Sequence, residues 1–421
     1  MNSTAFHSAD ILIPKDCDMH KWSVIACDQY TSEPEYWDEV STTVGSAPST
    51  LNLILPELFL EQDGVAHRID NIHTAMDKYL SDGIFTEYKD AMIYVERTQS
   101  NGILRQGIVG AIDLEKYDFA KGSTSEVRAT EATVIERIPP RIKVRQGAPL
   151  ELPHIMILID DPDNTVIEPL AKHLSDDNKL YDFELMQKGG SIKGWLIDKS
   201  AQEAVDNALC ALADPDTFCK KYGLSDTAVL LYAMGDGNHS LATAKEFYEQ
   251  LKQANPDKDL SNHPARYALA EIVNLHSEAL KFEAIHRLVY DVDCDELLYE
   301  LSHALELNDA ESSQYVVTYC DGTEVKEYIH KQTSNLSVGS LQNFLDGYIK
   351  AKGGKIDYIH GADTVKSLAD KHNGIAFILP DMDKSPLFPT VIKDGALPRK
   401  TFSMGHAEDK RFYIEARRIT D

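Results

Sequence analysis

The sequence predicts a multi-domain α/β protein with mixed sheets. Its 421 residues exceed the roughly 100–200 residues of one domain, so more than one hydrophobic core is expected. Short apolar runs alternate with amphipathic helical segments, and this alternation indicates at least some parallel strand pairing. Hydrophobic residues make up 43% and charged residues 26% of the chain, as in ordinary globular proteins, so it should fold along nearly its whole length.

An N-terminal mixed α/β region is predicted over residues 1–125. The segment His73–Leu80 has the pattern of an amphipathic helix that ends before Gly83. Ala91–Val95 and Ile103–Ile112 have the composition of strands, and the Asn101-Gly102 dipeptide before the second favours a tight turn. This region therefore combines a helix with a predicted hairpin.

Residues 126–290 form the predicted central region. Ile155–Ile159 and Ala228–Met234 are apolar runs typical of strands, and Ala201–Leu212 between them is a predicted helix. Arg266–Val273 fits a strand or a helix, and Ala284–Tyr290 fits a strand. A helix is also predicted after Met234, because apolar residues follow at helical spacing, at Leu241, Ala244, Tyr248 and Leu251.

A C-terminal α/β region is predicted over residues 291–421, where strands and helices continue to alternate. The predicted helices are Leu297–Leu305, Leu341–Ile349 and Thr364–His372. The predicted strands are Tyr315–Tyr319, Glu324–Ile329, Ile356–Ile359 and Ile375–Leu379, the first two forming a hairpin around Cys320-Asp321-Gly322.

The charge balance limits the partners of this chain. Lys and Arg number 42 against 68 Asp and Glu, a formal charge of −26. Such a field repels polyanions, so nucleic acid and an anionic membrane surface are disfavoured as partners. Because salt screens the field over short distances, a local basic site can still bind a small anionic ligand or a nucleotide.

The cysteines and the N-terminal segment favour the cytoplasm. None of the six cysteines stands in a CxxC pair, and a chain of this size does not need disulfides, so reduced thiols are expected. Residues 1–22 lack the basic and apolar runs of a signal peptide. No window approaches the about 18 apolar residues of a membrane span. The sequence makes no prediction of the oligomeric state.

The strongest candidate site is one segment between a predicted strand and a predicted helix, Gly235-Asp236-Gly237-Asn238-His239-Ser240. A strand that leads through a glycine turn into a helix presents backbone N–H groups and a helix dipole, both of which attract phosphate. Gly235 and Gly237 permit positive φ or close backbone approach. Asn238 or Ser240 is a candidate helix cap.

The ionisable groups of the segment suit phosphate chemistry. Asp236 could hold Mg²⁺, orient a hydroxyl or act as a base, and His239 could contact a phosphoryl group or move a proton. The alternative is an ordinary tight turn in which Asp236 and Asn238 bond to nearby amides. The segment matches neither GxGxxG nor GxxxxGK[ST], so no standard nucleotide signature decides between the two.

Other charged groups could complete such a site. A basic cluster without an acid follows residue 136, formed by Arg137, Arg141, Lys143 and Arg145. It either clamps an anion or covers a solvated face. His286-Arg287 lies in a predicted strand, where an internal partner or a ligand would satisfy it. Arg399-Lys400 and Lys410-Arg411, near the C-terminus, either close over an anion or decorate a surface strand.

Several motifs of the chain resemble the bacterial "domain of unknown function 1015" family. The candidate segment is similar to that family's Asp-Gly-His-His-Arg turn. Further stretches agree in order and spacing with its other motifs: Arg128-Ala129-Thr130-Glu131-Ala132-Thr133, Ala284-Ile285-His286-Arg287-Leu288-Val289, Lys355-Ile356-Asp357-Tyr358-Ile359-His360-Gly361 and Leu397-Pro398-Arg399-Lys400-Thr401. The ordered set spans most of the chain and is more specific than any one piece.

That family is similar to the ParB, sulfiredoxin and free-serine-kinase group, in which a comparable turn holds nucleotide phosphates. The resemblance implies a ParB/sulfiredoxin-like phosphate-binding strand–turn–helix in the middle of this chain. It also matches Glu131 to the family's glutamate, which implies a general base or a metal ligand; a helix-surface carboxylate is the alternative. Asn238 and Ser240 stand where the family often has His and Arg, and loss of that Arg removes a bidentate phosphate partner.

Together these features predict a nucleotide-dependent phosphotransferase that acts on a small hydroxylated metabolite, with serine suggested by the resemblance. The expected cofactors are Mg²⁺ and a nucleoside di- or triphosphate. Glu131, Asp236 and His239 are the predicted catalytic groups, and Arg287 or the basic cluster would neutralise developing charge. A nucleotide-binding regulatory switch without turnover is the first alternative. A nuclease-like relative of ParB is the second, against which the acidic charge counts.

Overall fold

The computed structural model describes residues 3–31, 33–60, 62–131, 133, 135–398 and 400–420. It confirms the mixed α/β class, with several sheets and helices. The chain divides into two compact units. Unit 1 comprises Met1–Ala129, Thr133–Leu280 and Gly405–Asp421, and unit 2 comprises Thr130–Ala132 and Lys281–Met404. The three continuous regions inferred from the sequence stay a prediction.

The strands, in chain order, are β1 (Phe6–His7), β2 (Ala9–Pro14), β3 (Phe85–Ala91), β4 (Ile93–Thr98), β5 (Leu104–Asp113), β6 (Tyr117–Asp118), β7 (Val127–Arg128), β8 (Leu150–Glu151), β9 (Met156–Ile159), β10 (Lys179–Glu184), β11 (Ser191–Leu196), β12 (Tyr232–Asp236), β13 (Tyr267–Asn274), β14 (Phe282–Tyr290), β15 (Tyr315–Cys320), β16 (Thr323–Tyr328), β17 (Lys355–His360), β18 (Ile375–Ile378), β19 (Phe402–Met404) and β20 (Arg417–Arg418).

The α-helices are α1 (Met19–Trp22), α2 (Pro34–Val44), α3 (Val65–Ser81), α4 (Ile138–Arg145), α5 (Lys199–Leu212), α6 (Pro215–Tyr222), α7 (Asn238–Ala254), α8 (Cys294–Leu305), α9 (Ser337–Lys352), α10 (Ala362–His372) and α11 (Leu387–Asp394). Across the part of the chain that the structure describes, none of the helices has the length and apolarity needed to cross a bilayer.

The main sheet of unit 1 has the strand order β10-β11-β4-β5-β13-β9-β12-β7-β6, and β1 also pairs with β5. Side chains alternate between its faces. Ile108 and Ile112 of β5 join a core with helices α5 and α7, whereas Val109 and Ala111 join a second core with α2 and residues 412–414. Because both faces are buried, β5 reads in the sequence as a nearly continuous apolar run.

The helices of unit 1 follow the apolar spacing of the sequence. Helix α3 buries Ile69, Ile72, Met76 and Tyr79 on one face, and it begins well before the predicted start at His73. The prediction of parallel pairing is confirmed in this unit, where β13 runs parallel to β9 and β12 runs parallel to β7.

Unit 2 has an antiparallel sheet of order β16-β15-β18-β14-β17, with β19 added to β14. Helices α8 and α9 share one core with β18, and α10 packs with Leu288 of β14 in another. The predicted hairpin is confirmed. Asp321 and Gly322 both have positive φ there, as its tight turn requires.

In the central region, the structure corrects the bounds of one predicted strand and settles the type of another element. The strand predicted over Ala228–Met234 is wrong at both ends, because β12 runs from Tyr232 to Asp236. Its pairing begins only at Tyr232, where β7 and β9 flank it; before that point Leu230 and Leu231 are buried in irregular backbone. Residues 267–274, which fitted either type of element, form a strand.

A buried ionic cluster ties the C-terminal segment to the main sheet. The Glu271 side chain on β13 is 2% exposed, and its carboxylate pairs with Arg105 at 3.4 Å and with Arg411 at 2.8 Å. Arg411 also pairs with Glu415 at 2.8 Å. Burial disfavours ionisation of Glu271, but Arg105 and Arg411 outweigh that cost and lower the pKa of the carboxyl. The cluster is therefore charged in the folded protein.

We predict that Glu271→Gln destabilises unit 1 by about 3–5 kcal/mol, because it removes the carboxylate that Arg105 and Arg411 share while both cations stay buried. The three tryptophans of the chain, Trp22, Trp37 and Trp195, all lie in unit 1, so urea unfolding followed by tryptophan fluorescence reports on this unit.

The control is Asp82→Asn, which removes an exposed partner of Lys78 and should leave the unfolding midpoint unchanged. Because the pKa of Glu271 is lowered in the folded state, its stabilisation is present above the ordinary value of 4.5 and is lost as the pH falls further. Equal midpoints for the wild type and Glu271→Gln at neutral pH would contradict this account.

Candidate functional site

The segment Gly235–Ser240 spans the end of a strand and the start of a helix. Gly235 and Asp236 are the last residues of β12, Gly237 alone separates strand from helix, and α7 begins at Asn238. The pairing of β12 with β9 shifts register between Met234 and Asp236. Such a bulge bends a strand and re-aims its side chains, and Asp236 still pairs with Met156 directly before the helix begins.

Gly237 occupies a position that only glycine fits well. Its φ is +78°, and a Cβ atom there would lie 3.1 Å from the Cα of Ile155 and 3.5 Å from Cδ2 of His154. Both the left-handed conformation and the close backbone contact exclude a larger residue. The close backbone approach expected of this glycine is made to His154 and Ile155, directly before strand β9.

Among the residues that the structure describes, no side chain caps α7 at its N-terminus. The predicted cap by Asn238 or Ser240 is wrong, because both residues lie inside the helix and Gly237 occupies the cap position. Leu241 N–H donates to Gly237 O at 3.0 Å, so residues 238–240 precede the first i→i−4 hydrogen bond of the helix. The Gly237 amide donates to Asp236 Oδ1 at 3.0 Å, which satisfies one donor of the turn internally.

A buried lysine lies beside this helix start. Lys410 Nζ is 3.2 Å from Asp236 Oδ2, and the lysine side chain is 11% exposed. Its backbone is fixed, since Lys410 O accepts a hydrogen bond from Arg97 at 3.3 Å and the next carbonyl accepts from Ala26 N–H at 2.9 Å. The C-terminal segment therefore supplies a cation to the turn.

A second carboxylate, Asp28, lies in the same group of residues. Its Oδ2 atom is 3.9 Å from His154 Nε2, and His154 Nδ1 is 2.8 Å from the Tyr413 hydroxyl. Burial opposes ionisation of Asp28, but His154, Gln29 and Lys410 outweigh it and lower the pKa of this carboxyl. Two carboxylates and one lysine thus adjoin the start of α7.

The sequence did not identify Asp28 or His154 as site residues, and it left the role of Lys410 undecided. Residues 28, 154, 236 and 410 are far apart in the chain, so no local spacing could reveal them. Cys27 is a half-buried free thiol, and desolvation, Asp28 and Glu57 raise its pKa. Such a thiol is a poor nucleophile.

The basic cluster of the sequence lies mainly on helix α4, where carboxylates pair with two of its members. Arg141 Nε donates to Glu57 at 2.9 Å, and Arg145 pairs with Glu151 at 2.6 Å. Arg137 is exposed. Helix α4 packs against α7 through Ile138, Ile142 and Ala242, so the cluster lies next to the helix that begins at the candidate turn.

Three other predicted site residues come together within unit 2. Glu131 Oε1 accepts a hydrogen bond from Thr401 N–H at 3.1 Å, and Arg287 Nη1 donates to Lys400 O at 2.9 Å. Burial raises the pKa of Glu131, and Lys400, Thr401 and Arg287 only partly oppose this. Ala132 and Arg399, which belong to the same motifs, lie outside the described residues.

His286 and Arg287 are adjacent on β14 and therefore point to opposite faces of the sheet. The Nδ1 atom of His286 accepts a hydrogen bond from Leu379 N–H at 3.3 Å, and burial lowers the pKa of this imidazole despite the charge of Asp381. The His286 ring is thus neutral with its proton on Nε2. Arg287 is fully buried, and its Nε donates to Gln342 at 3.0 Å.

The predicted site residues divide between the two units. Glu131, His286, Arg287 and Lys400 lie in unit 2, whereas Arg137, Arg141 and the whole Gly235–Ser240 segment lie in unit 1. Among the residues that the structure describes, His, Cys, Asp and Glu form no group of three or more that could hold a metal ion.

Comparison with protein families assigns the chain to one family. A family model described as "Protein of unknown function (DUF1015)" matches residues 12–348. The chain belongs to the DUF1015 family. This confirms the family resemblance drawn from the sequence motifs, while the further likeness to ParB and sulfiredoxin stays a prediction. None of the curated proteins compared with the DUF1015 chain matches it.

Several solved structures show a distant likeness to this DUF1015 protein. A conserved hypothetical protein from Pyrococcus furiosus is 12% identical, with 72% of this chain and 97% of that chain covered and a TM-score of 0.34. A free serine kinase in complex with AMP is 11% identical, with 73% and 90% covered and a TM-score of 0.37. SbnI from Staphylococcus aureus, truncated at its C-terminus, is 8% identical, with 70% and 82% covered and a TM-score of 0.36. Such low scores carry no weight for function.

We predict that Gly237→Ala destabilises unit 1 more than Gly223→Ala does. Both glycines have positive φ, but a Cβ at Gly223 meets open space whereas one at Gly237 meets Ile155. Gly223→Ala should cost about 1 kcal/mol from its left-handed backbone. Gly237→Ala should cost a further roughly 1–3 kcal/mol because the backbone at Ile155 must shift.

The comparison uses urea unfolding followed by tryptophan fluorescence. Equal losses in the two variants would show that close packing against Ile155 does not fix the turn.

Proposed function

We propose that this DUF1015 protein binds the phosphates of a nucleotide at the first turn of α7. The observation that supports this most strongly is buried Lys410 beside a helix start that no described side chain caps. Backbone N–H groups at a helix N-terminus attract oxyanions through their hydrogens and through the helix dipole. A lysine ammonium adds a full charge at the same place.

In the proposal, Lys410 also compensates for a cation that the family motif has and this chain lacks. Ser240 stands where the family often has an arginine, so this chain lacks that phosphate partner within the turn itself. The C-terminal segment brings Lys410 Nζ within 3.2 Å of Asp236. In the proposal this lysine replaces the missing cation, with the loss of bidentate geometry that exchange of Arg for Lys entails.

The further proposal is phosphotransfer to a small hydroxylated metabolite such as serine. Mg²⁺ usually takes one or two protein carboxylates and completes its shell with phosphate oxygens and water. Asp236 and Asp28 are carboxylates of this kind, so the donor set fits a metal that arrives with the nucleotide. His239, in the first turn of α7, would contact the transferred group. A ParB/sulfiredoxin-like relationship belongs to the same proposal.

Glu131 is the proposed general base, and its chemistry suits that role. A carboxyl whose pKa is raised towards neutrality accepts a proton more readily than an ordinary surface glutamate. The Thr401 amide fixes one of its oxygens, which orients the other. The same main-chain hydrogen bond would also hold a carboxylate that takes no part in catalysis. A nucleotide-binding switch without turnover is therefore the second candidate function.

We predict that Lys410→Met weakens the binding of ATP and of pyrophosphate by about tenfold or more, since charge-assisted hydrogen bonds contribute about 1.5–3 kcal/mol each. The measurement is the shift in thermal unfolding at several ligand concentrations; a wild-type protein at a hundredfold excess of ligand over its Kd gains about 2.7 kcal/mol.

Lys252→Met is the matched control, because Lys252 lies at the other end of α7 and pairs with Glu115 and Glu249. The unliganded melting temperature of each variant checks its folding. Ligand shifts in Lys410→Met that equal those of the wild type would remove Lys410 from the site.

We predict that Glu131→Gln abolishes phosphate transfer from ATP to serine and related hydroxy compounds while leaving nucleotide affinity within about twofold. In the wild type, kcat should fall as the pH is lowered through a value above the ordinary 4.5, because protonated Glu131 cannot accept a proton.

A switch makes a different prediction. The Glu131→Gln protein would keep its nucleotide-dependent partner response, and the wild type would show no transfer. Full transfer activity in Glu131→Gln would contradict the assignment of Glu131 as the base.

A further inference from the structure

Two tyrosines stack directly after Asp28. The rings of Tyr30 and Tyr36 lie with centroids 3.7 Å apart and planes within 10°, and Trp37 meets Tyr36 edge-on at 5.5 Å. The Trp37 indole N–H donates to Tyr30 O at 3.3 Å. Tyr36 therefore covers one face of a half-buried Tyr30 ring and holds it in place.

The backbone at Tyr30 is strained. Its φ of +51° lies in the left-handed region, which bulky residues adopt only when surrounding contacts hold them there. Glu33 N–H donates to Tyr30 O at 3.3 Å, and Gln29 N–H donates to Ala26 O at 3.1 Å. A turn built in this way fixes the direction of the Tyr30 ring at some cost in stability.

The charges of three carboxylates act on the Tyr30 hydroxyl. Burial, followed by the charges of Glu408, Glu33 and Asp409, raises the pKa of Tyr30 to about 12. The phenol is therefore neutral at physiological pH. Tyr36 Oη is buried and has no hydrogen-bond partner among the described residues. The group thus combines an aromatic face, carboxylate acceptors and a hydroxyl without a partner.

Both chain segments that form this group continue into the candidate phosphate site. Tyr30 is two residues from Asp28, and Glu408 is two residues from Lys410. Two residues span at most about 7 Å, which is a separation that one nucleotide bridges between its base and its phosphates. The aromatic group and the cation are therefore placed as the two ends of a single nucleotide site.

We propose that Tyr30 stacks on the base of the bound nucleotide with the face opposite Tyr36. Glu408 and Glu33 accept hydrogen bonds from the exocyclic amino group of that base. The site thereby selects adenine, guanine or cytosine nucleotides over uracil nucleotides, which carry no amino donor. This inference rests on the proposed function, because it assumes that the phosphates bind at α7.

The test compares ATP, UTP and inorganic tripolyphosphate, each with Mg²⁺, by titration calorimetry on the full chain. Wild-type protein should bind ATP more tightly than UTP or tripolyphosphate. Tyr30→Leu should weaken ATP binding by about tenfold, since one base–aromatic stack contributes that order of affinity, and should leave tripolyphosphate binding unchanged. Tyr30→Phe keeps the ring and should bind ATP within about twofold of the wild type.

Tyr299→Leu is the matched control, because Tyr299 is an exposed tyrosine on α8 and its loss should change no affinity. Where Tyr30→Leu lowers the melting temperature, Tyr30→Phe and Glu408→Gln carry the test, the latter by reducing the preference for ATP over UTP. Equal loss of ATP and tripolyphosphate in Tyr30→Leu, or equal ATP and UTP affinity in the wild type, overturns the inference while leaving phosphate binding in place. Failure of the wild type to bind tripolyphosphate and ATP overturns the proposed function and this inference together.

Discussion

The candidate site depends on one buried interaction, the pairing of Glu271 with Arg105 and Arg411. Glu271 and Arg105 lie on neighbouring strands of the main sheet, whereas Arg411 belongs to the C-terminal segment. A buried ion pair contributes little net stability, but removal of one partner is costly, so the pairing fixes which segment lies there. Lys410 precedes Arg411, and its place beside Asp236 follows from that constraint.

The electrostatics of the helix start differ from those of the whole chain. A formal charge of −26 repels anions at long range, but charges more than about 8–10 Å apart are largely screened in physiological salt. At the turn, the positive end of α7 and Lys410 face Asp28 and Asp236. This mixture of signs suits a ligand that brings negative phosphates together with a divalent cation. A bare anion would meet both attraction and repulsion.

The sequence predicted elements whose pattern is local and missed contacts that are not. Helices α5, α7 and α10 and the hairpin around Asp321 have strong apolar spacing or turn chemistry, and the structure has them where expected. The start of β12 was wrong because an apolar run does not show where pairing partners begin. The cap of α7 was wrong because Gly237 takes the left-handed conformation, which leaves Asn238 inside the helix.

The same distinction holds for the site. The Gly235–Ser240 segment could be found because a strand, a glycine turn and a helix follow one another in the sequence. Asp28, His154 and Lys410 join it only through long-range packing, which no spacing encodes. Glu131, Arg287 and Lys400 were matched by ordered family motifs, and the structure brings these three together within unit 2.

The most direct test of the central claim is a crystal structure of the protein grown with pyrophosphate and Mg²⁺. The account predicts phosphate oxygens about 3 Å from the amides of residues 238–240 and from Lys410 Nζ, as hydrogen bonding requires. Pyrophosphate bound at another place, or a helix start that keeps only water at saturating pyrophosphate, would contradict it.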